Sequence, residues 1–96
     1  MFDKIKELMQ LKAKMEEIKK QLDGETVEAS SGDGLVYVKM TGSQRIAEIK
    51  LSSCSPDKAP AIEKALKETI NRAIELSMQL AAKKMGDATG FKLPSP

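Results

Sequence analysis

Eight of the sixteen basic side chains of this 96-residue chain are candidates for binding phosphate, and all eight lie in two stretches with helical periodicity. They are Lys12, Lys14, Lys19, Lys20, Lys67, Arg72, Lys83 and Lys84. Clustered cations bind phosphate oxygens and release counterions, so such binding weakens as salt rises. Surface lysines also simply keep a protein in solution, so phosphate binding and plain solvation both stay open. The net charge is only +2, so any contact with nucleic acid must come from local patches.

Side chains suited to covalent or acid–base catalysis are scarce. The chain has no histidine, and its one cysteine, Cys54, has no evident base near it in sequence. Zinc needs three or four Cys or His ligands, and this chain has only one such residue, Cys54. Gly32-Asp33-Gly34 begins like a phosphate-binding loop, but Tyr37 stands where the third glycine belongs, so we predict a hairpin turn. We expect no enzymatic activity, no cofactor, no metal and no small-molecule substrate.

The sequence also bears on location. The first residues are charged, and no apolar run approaches the roughly 18 residues that span a bilayer. A lone cysteine fits a reducing compartment, where we expect Cys54 to be reduced and partly buried near the end of the third strand. We therefore predict a cytoplasmic protein with no membrane association.

The hydrophobic period divides the chain into helix, three strands and helix. Apolar residues recur every 3 or 4 positions over 1–22, alternate over 25–51, and return to the helical spacing over 57–85. Short turns at Gly32–Gly34 and Gly42-Ser43 require antiparallel neighbours. We predict one α+β domain over 1–96, α-β-β-β-α, with a three-stranded antiparallel meander, two long helices and a flexible tail at 87–96.

Details of this assignment can be checked residue by residue. Asp57 is the expected N-cap of the second helix, and Gly86 is expected just past its end. Strict alternation in the third strand puts Ile46 on the face opposite to Ile49 and Leu51. The second helix is expected to bury one stripe: Ile62, Leu66, Ile70, Ala73, Leu76 or Ser77, Leu80 and Ala81.

The first helix has an apolar seam that needs a partner. This N-terminal seam consists of Leu8, Leu11, Met15, Ile18 and Leu22. A helix of that length is a rod of about 33 Å, too long to be covered within so small a domain, so we predict a dimer with the seam at its interface. In a parallel self-zipper Lys14 would face Lys19 unfavourably. Glutamates flank the stripe of the second helix, so we expect helix 1 to pack on helix 2.

Four stretches in order along nearly the whole chain carry a family resemblance. They are Met1-Phe2-Asp3-Lys4; Gly32-Asp33-Gly34-Leu35-Val36-Tyr37-Val38 followed by Gly42; Ala65-Leu66 through Asn71-Arg72-Ala73; and Lys84-Met85 with Gly90-Phe91-Lys92-Leu93-Pro94. In this ordered set the chain resembles the YbaB/EbfC nucleoid-associated family of bacteria. It departs from many relatives in a shorter loop before helix 2 and a shortened run before Gly90.

The resemblance implies a tweezer-like homodimer in which the sheets form a base and helices project as arms. It also implies binding to double-stranded DNA with little sequence preference, in the nucleoid. The residues that we expect to contact DNA are chosen from charge and position: Lys12, Lys14, Lys19, Lys20, Arg72, Lys83 and Lys84. The alternative is a dimeric protein-interaction module whose projecting helices grip another protein.

Overall fold

The structure is a computed structural model that describes residues 2–89, and it contains two long helices and one sheet. The elements are α1 (Phe2–Gly24), β1 (Thr26–Ser30), β2 (Val36–Thr41), β3 (Ile46–Leu51) and α2 (Ala59–Thr89). The strands form an antiparallel sheet in the order β1-β2-β3. The predicted α+β class and α-β-β-β-α order are confirmed. Of the predicted tail, residues 87–89 belong to α2, and 90–96 lie outside the described residues.

α2 lies on one face of the sheet along a line of small side chains. The line repeats every four residues and is buried: Ala65, Thr69, Ala73 and Ser77. Small side chains let the helix axis come close to β2, and Ser77 Oγ donates a hydrogen bond to the Thr41 carbonyl at 2.9 Å. Ile62, Leu66 and Ile70, expected to be buried, are only half-buried, because the centre of the buried stripe falls on the small residues instead.

β3 follows strict alternation only in its second half. Beyond the pair of Lys39 and Glu48 the register shifts, and Met40 lies opposite Ile46 instead of Ala47. This irregularity turns Ile46 to the face that carries Ile49 and Leu51, so the prediction of opposite faces is wrong. That face is the one on which α2 packs, but α2 contacts β1 and β2 and leaves the β3 side chains more than two-fifths exposed.

α1 is attached to the rest of the fold at its C-terminal end. Ile18 and Leu22 are buried there, and the Gly42 N–H donates to the carbonyls of Leu22 at 3.0 Å and Glu25 at 2.9 Å. A Cβ on Gly42 would lie 2.7 Å from Leu22 Cδ2, so the close approach of the end of α1 to this position requires glycine. In the β2–β3 turn the residue with a positive φ is Gln44, at 66°, whereas the sequence predicts the turn from Gly42.

The ends of α2 and the environment of Cys54 differ from expectation. Asp57 lies inside a short 3-10 turn, Pro56–Lys58, which begins early because proline fixes the backbone φ angle. Asp57 is therefore not the N-cap of α2. Gly86 lies within α2, since one glycine costs a helix only about 1 kcal/mol and no proline follows before Thr89. Cys54, expected to be partly buried, is exposed in the loop after β3.

The outer face of the sheet carries a polar network around Tyr37. Its hydroxyl donates to Glu28 Oε1 at 2.7 Å, and Lys50 Nζ lies 5.6 Å from its ring centre. Lys50 also pairs with Glu48 at 3.3 Å. The hydrogen bond to the Glu28 carboxylate favours the neutral phenol and raises the pKa of Tyr37 to about 12. The polar side chains of this face therefore bond to one another, whereas the opposite face of the sheet is apolar.

We expect Glu28→Gln to lower the pKa of Tyr37 towards its ordinary value of 10.0. The substitution removes both the charged acceptor and the negative charge that opposes a phenolate. Tyr37 is the one tyrosine of a chain without tryptophan, so ultraviolet absorbance of the phenolate reports it alone. Glu48→Gln is the control and should shift the pKa less. An unchanged titration in Glu28→Gln would show that the hydrogen bond is not formed in solution.

Candidate nucleic-acid interface

α1 and the last turns of α2 form a projection that extends beyond the sheet. α1 runs towards the sheet and ends beside Gly42, whereas α2 passes Thr41 at Ser77 and runs away from the sheet, so the two helices are antiparallel. The described residues span 66 × 23 × 16 Å, and most of the long dimension beyond the sheet is helix. We call α1 together with residues 78–89 of α2 the arm. It is the part of the fold most open to a large partner.

An ion pair fixes the base of the arm. Lys84 Nζ lies 2.9 Å from Glu25 Oε1, and the side chains are 29% and 41% exposed. The second carboxylate oxygen of Glu25 is buried with no hydrogen-bond partner, so the carboxylate depends on Lys84. Among the predicted DNA-contacting residues, Lys84 is thus already engaged within the chain.

The four predicted lysines of α1 are all exposed, but they do not share one face. Lys12 and Lys19 are seven residues apart, two turns or about 10.5 Å along the helix, and both border the groove beside Met15. Lys14 lies on the other flank of the N-terminal seam, and Lys20 points away from it, because each residue turns the helix by about 100°. One flank of the arm therefore presents two lysines in a row.

The structure places Arg72 away from the arm. Its side chain lines a groove between the start of α2 and the β1–β2 turn, together with Lys64, Asp33 and Glu68. Exposed Lys83 lies eleven residues further along α2, about 16 Å, so the predicted set divides into an arm group and a groove group. The prediction missed Lys64, although its spacing of two helical turns from Arg72 was a usable signal.

The N-terminal seam also divides into two parts, one buried and one exposed. Ile18 and Leu22 are buried within one chain, whereas Leu8, Leu11 and Met15 are 65%, 48% and 40% exposed. α1 contacts α2, as expected, and a groove between them is lined by Met15 and Ile18 of α1 and Ala81 of α2. Within residues 2–89, the outer half of the seam, Leu8, Leu11 and Met15, is thus largely exposed. α1 carries six lysines and five acidic residues, so its charge is nearly balanced.

Residues 2–89 contain neither a metal-ligand cluster nor a membrane-spanning helix. No group of three or more Cys, His, Asp or Glu side chains is placed to hold a metal ion in that part of the chain. Nor does either described helix have an apolar stretch long enough to cross a membrane. Basic side chains on projecting helices are thus the most informative functional feature of the fold.

Comparison with known proteins identifies a family and a shared fold. A model of the YbaB/EbfC DNA-binding family matches residues 1–92. Nucleoid-associated protein CT0805 of Chlorobaculum tepidum is 31% identical over 92% of this chain and 79% of its own length. A nucleoid-associated protein of Dictyoglomus turgidum is 29% identical over 97% and 92%. The crystal structure of uncharacterized protein HP0035 from Helicobacter pylori shares the fold, with a TM-score of 0.80, 14% identity and coverage of 94% and 98%.

Proposed function

This chain belongs to the YbaB/EbfC DNA-binding family, and on that basis we propose that it coats double-stranded DNA in the nucleoid as a homodimer with little sequence preference. The relatives named as nucleoid-associated proteins support the location. The observation that carries the proposal is the arm, which holds exposed lysines outside the sheet and its core.

The proposed contact is electrostatic. Lys12 and Lys19 lie on one flank of α1, about 10.5 Å apart, and we assign them to phosphates of one DNA backbone. Lys14, Lys20 and Lys83 lie on other sides of the arm and contribute to its positive potential. Each neutralised phosphate releases counterions and adds about −0.9 to the slope of log affinity against log salt.

Low sequence preference follows from the side chains available. Arginine is the commonest reader of guanine in the major groove, and the chain has only Arg45 and Arg72. Neither lies on the arm. Lysines that contact phosphates act as point charges, and such contacts carry no sequence information, so they supply affinity without selectivity. We therefore assign Arg72 a secondary contact, at the edge of the footprint.

A second copy would give the protein two arms. One arm offers few phosphate contacts, and two arms on the same duplex bind more tightly because the second contact is intramolecular. Leu8, Leu11 and Met15 remain the proposed contribution of the N-terminal seam to that dimer, since Ile18 and Leu22 are already buried within the chain. The proposed shape is a pair of tweezers with the sheets at the base.

Two observations favour a second function. The outer half of the N-terminal seam is apolar and exposed, and α1 has nearly balanced charge. Such a face also suits a groove-binding or coiled-coil contact with another protein. On this alternative the lysines only keep the arms in solution.

Binding of two unrelated fluorescent duplexes at two salt concentrations separates the two functions. DNA coating predicts submicromolar affinity for both duplexes, within a few-fold of each other, and a steep loss as salt rises. A single-stranded oligonucleotide of the same length is the matched control and should bind more weakly, because stacking on aromatic rings is unavailable here. No binding at 50 mM salt would contradict the proposal and favour the protein-interaction module.

A further inference from the structure

The outer edge of β1 carries backbone groups that no other strand of residues 2–89 uses. β1 is an edge strand, because the sheet order is β1-β2-β3. At one end of β1 the Glu25 carbonyl accepts the Gly42 N–H at 2.9 Å. At the other end the Ser31 N–H donates to the Val36 carbonyl, also at 2.9 Å. Residues that bond to a neighbouring antiparallel strand alternate, so three residues direct their N–H and C=O groups away from β2: Thr26, Glu28 and Ser30.

This edge lacks the features that usually keep a sheet edge from pairing. Natural edges are protected by proline, lysine, a bulge or a covering element. β1 has no proline or lysine, and it pairs with β2 without a bulge. Its one charged side chain, Glu28, is turned to the outer face of the sheet, where it accepts the Tyr37 hydroxyl at 2.7 Å. The edge is therefore open to a further strand.

A charged groove lies directly beside this edge. Its walls are residues 30–33, at the end of β1 and in the β1–β2 turn, and the α2 side chains Lys64, Glu68 and Arg72. The three α2 side chains are exposed, and none forms an ion pair with another residue of 2–89. Asp33 accepts hydrogen bonds at 2.6 and 3.2 Å from its own turn, so its carboxylate is already engaged. The groove thus presents two available cations with one available anion between them.

The spacing of these charges matches the spacing of side chains on a strand. α2 follows the strands, because Ser77 lies at the end of β2 and residues 61–72 reach the β1–β2 turn. Lys64, Glu68 and Arg72 are four residues apart, which gives steps of about 6 Å. Side chains on one face of a strand repeat about every 6.6 Å. A strand added to β1 therefore sets three successive side chains of its α2 face beside these three residues.

We propose that the free edge of β1 and this groove bind an extended segment of another protein, which joins the sheet as an antiparallel fourth strand. We call the edge and the groove together the strand-docking site. The segment carries acidic side chains beside Lys64 and Arg72 and a basic side chain beside Glu68. Its main chain bonds to the edge and supplies affinity, whereas the alternating charges select its sequence. The proposal rests on neither the DNA contact nor the dimer.

A nucleic acid fits the strand-docking site less well than a peptide. Its phosphates are uniformly negative, so Glu68 between the two cations opposes them. Phosphates also accept hydrogen bonds without donating any, so they leave the outward carbonyls of β1 unused, whereas a peptide main chain both donates and accepts. Arg72 gives up its secondary place in the DNA footprint while the segment is bound.

A nine-residue synthetic peptide tests the backbone part of the proposal. Its third, fifth and seventh residues are glutamate, lysine and glutamate, and the others are threonine or valine. Its fourth and sixth residues pair with Ser30 and Glu28, so N-methylation of these two amides should weaken binding at least about 10-fold. N-methylation of the third and fifth amides, which point away from β1, is the matched control and should change binding little. Fluorescence anisotropy of the labelled peptide measures each affinity.

Lys64→Glu tests the charge part of the proposal. It should weaken binding of the peptide at least about 10-fold, and a peptide with lysine in place of its third residue should recover the affinity. Lys67→Glu is the matched control. Lys67 is exposed and lies two residues from each of buried Ala65 and Thr69, so its side chain points away from the sheet. This variant should bind the original peptide as the wild type does.

Amide hydrogen exchange shows where the peptide lies. Saturating peptide should slow exchange of the Thr26, Glu28 and Ser30 amides at least about 10-fold, because they gain acceptors. Three results would overturn the inference: no binding of the peptide, equal binding of the two N-methylated peptides, or equal loss in Lys64→Glu and Lys67→Glu. Chemical shifts of Lys64 and Arg72 that move with a duplex but not with the peptide would instead assign the groove to nucleic acid.

Discussion

Reversing the charge of Lys12 and Lys19 together should weaken duplex binding roughly 100-fold at low salt, because two phosphate contacts are lost in each copy and replaced by repulsion. The same double substitution should reduce the slope of log affinity against log salt by about four in the dimer. Both residues are exposed on one flank of α1. Fluorescence anisotropy over a salt series measures affinity and slope on the same samples.

Two other pairs of lysines serve as controls for that result. Lys39 and Lys50 lie on β2 and β3 with side chains towards the outer face of the sheet, so their reversal makes the same change in net charge away from the arm. Reversal of Lys14 and Lys20 changes the other sides of α1. Equal loss of affinity in all three double variants would mean that only net charge matters and that the flank assignment is wrong.

Gly42→Val should destabilise the protein by about 3 kcal/mol and release α1 from the sheet. A Cβ at this position would lie 2.7 Å from Leu22 Cδ2 and 3.1 Å from the Leu22 carbonyl oxygen. The Leu22 side chain could turn away, but the carbonyl accepts the Gly42 N–H at 3.0 Å and cannot move without losing that bond. Urea unfolding gives the free-energy change.

The control for Gly42→Val is Gly32→Val in the β1–β2 turn. A Cβ on Gly32 meets nothing within 4 Å, so this variant should remain within about 1 kcal/mol of the wild type. Amide hydrogen exchange along α1 then separates release of the arm from loss of the whole fold. If α1 exchanges as slowly in Gly42→Val as in the wild type, the close approach at Gly42 is not what holds the arm.

Much of the fold can be predicted from local patterns in the sequence. Hydrophobic period and short glycine turns are properties of neighbouring residues, and they predict the order of elements and the antiparallel pairing. The irregularity at Ala47 could not be predicted from the sequence, because the alternation of side chains gives no sign of an extra residue. The predicted stripe includes Ala73 and, as one option, Ser77, but it lacks Ala65 and Thr69 for a related reason: small side chains carry little hydrophobic signal but permit the closest packing.

The candidate site could be predicted in composition but not in geometry. Exposure of Lys12, Lys14, Lys19 and Lys20 follows from their places between apolar positions on a helix. The pairing of Lys84 with Glu25 joins residues that are far apart in sequence, so no local pattern indicates it. The seam is likewise a single surface in sequence, whereas packing within the fold divides it between exposed Met15 and buried Ile18.

The most direct test of the account is to map the DNA contact on the isotope-labelled protein by amide chemical shifts during titration with a short duplex. We expect the largest shifts along α1 from Lys12 to Lys20 and at Lys83. Small shifts are expected on the outer sheet face around Lys50. Shifts confined to the groove of Lys64 and Arg72, or to the sheet, would contradict the claim that the arm is the part of this protein that binds DNA.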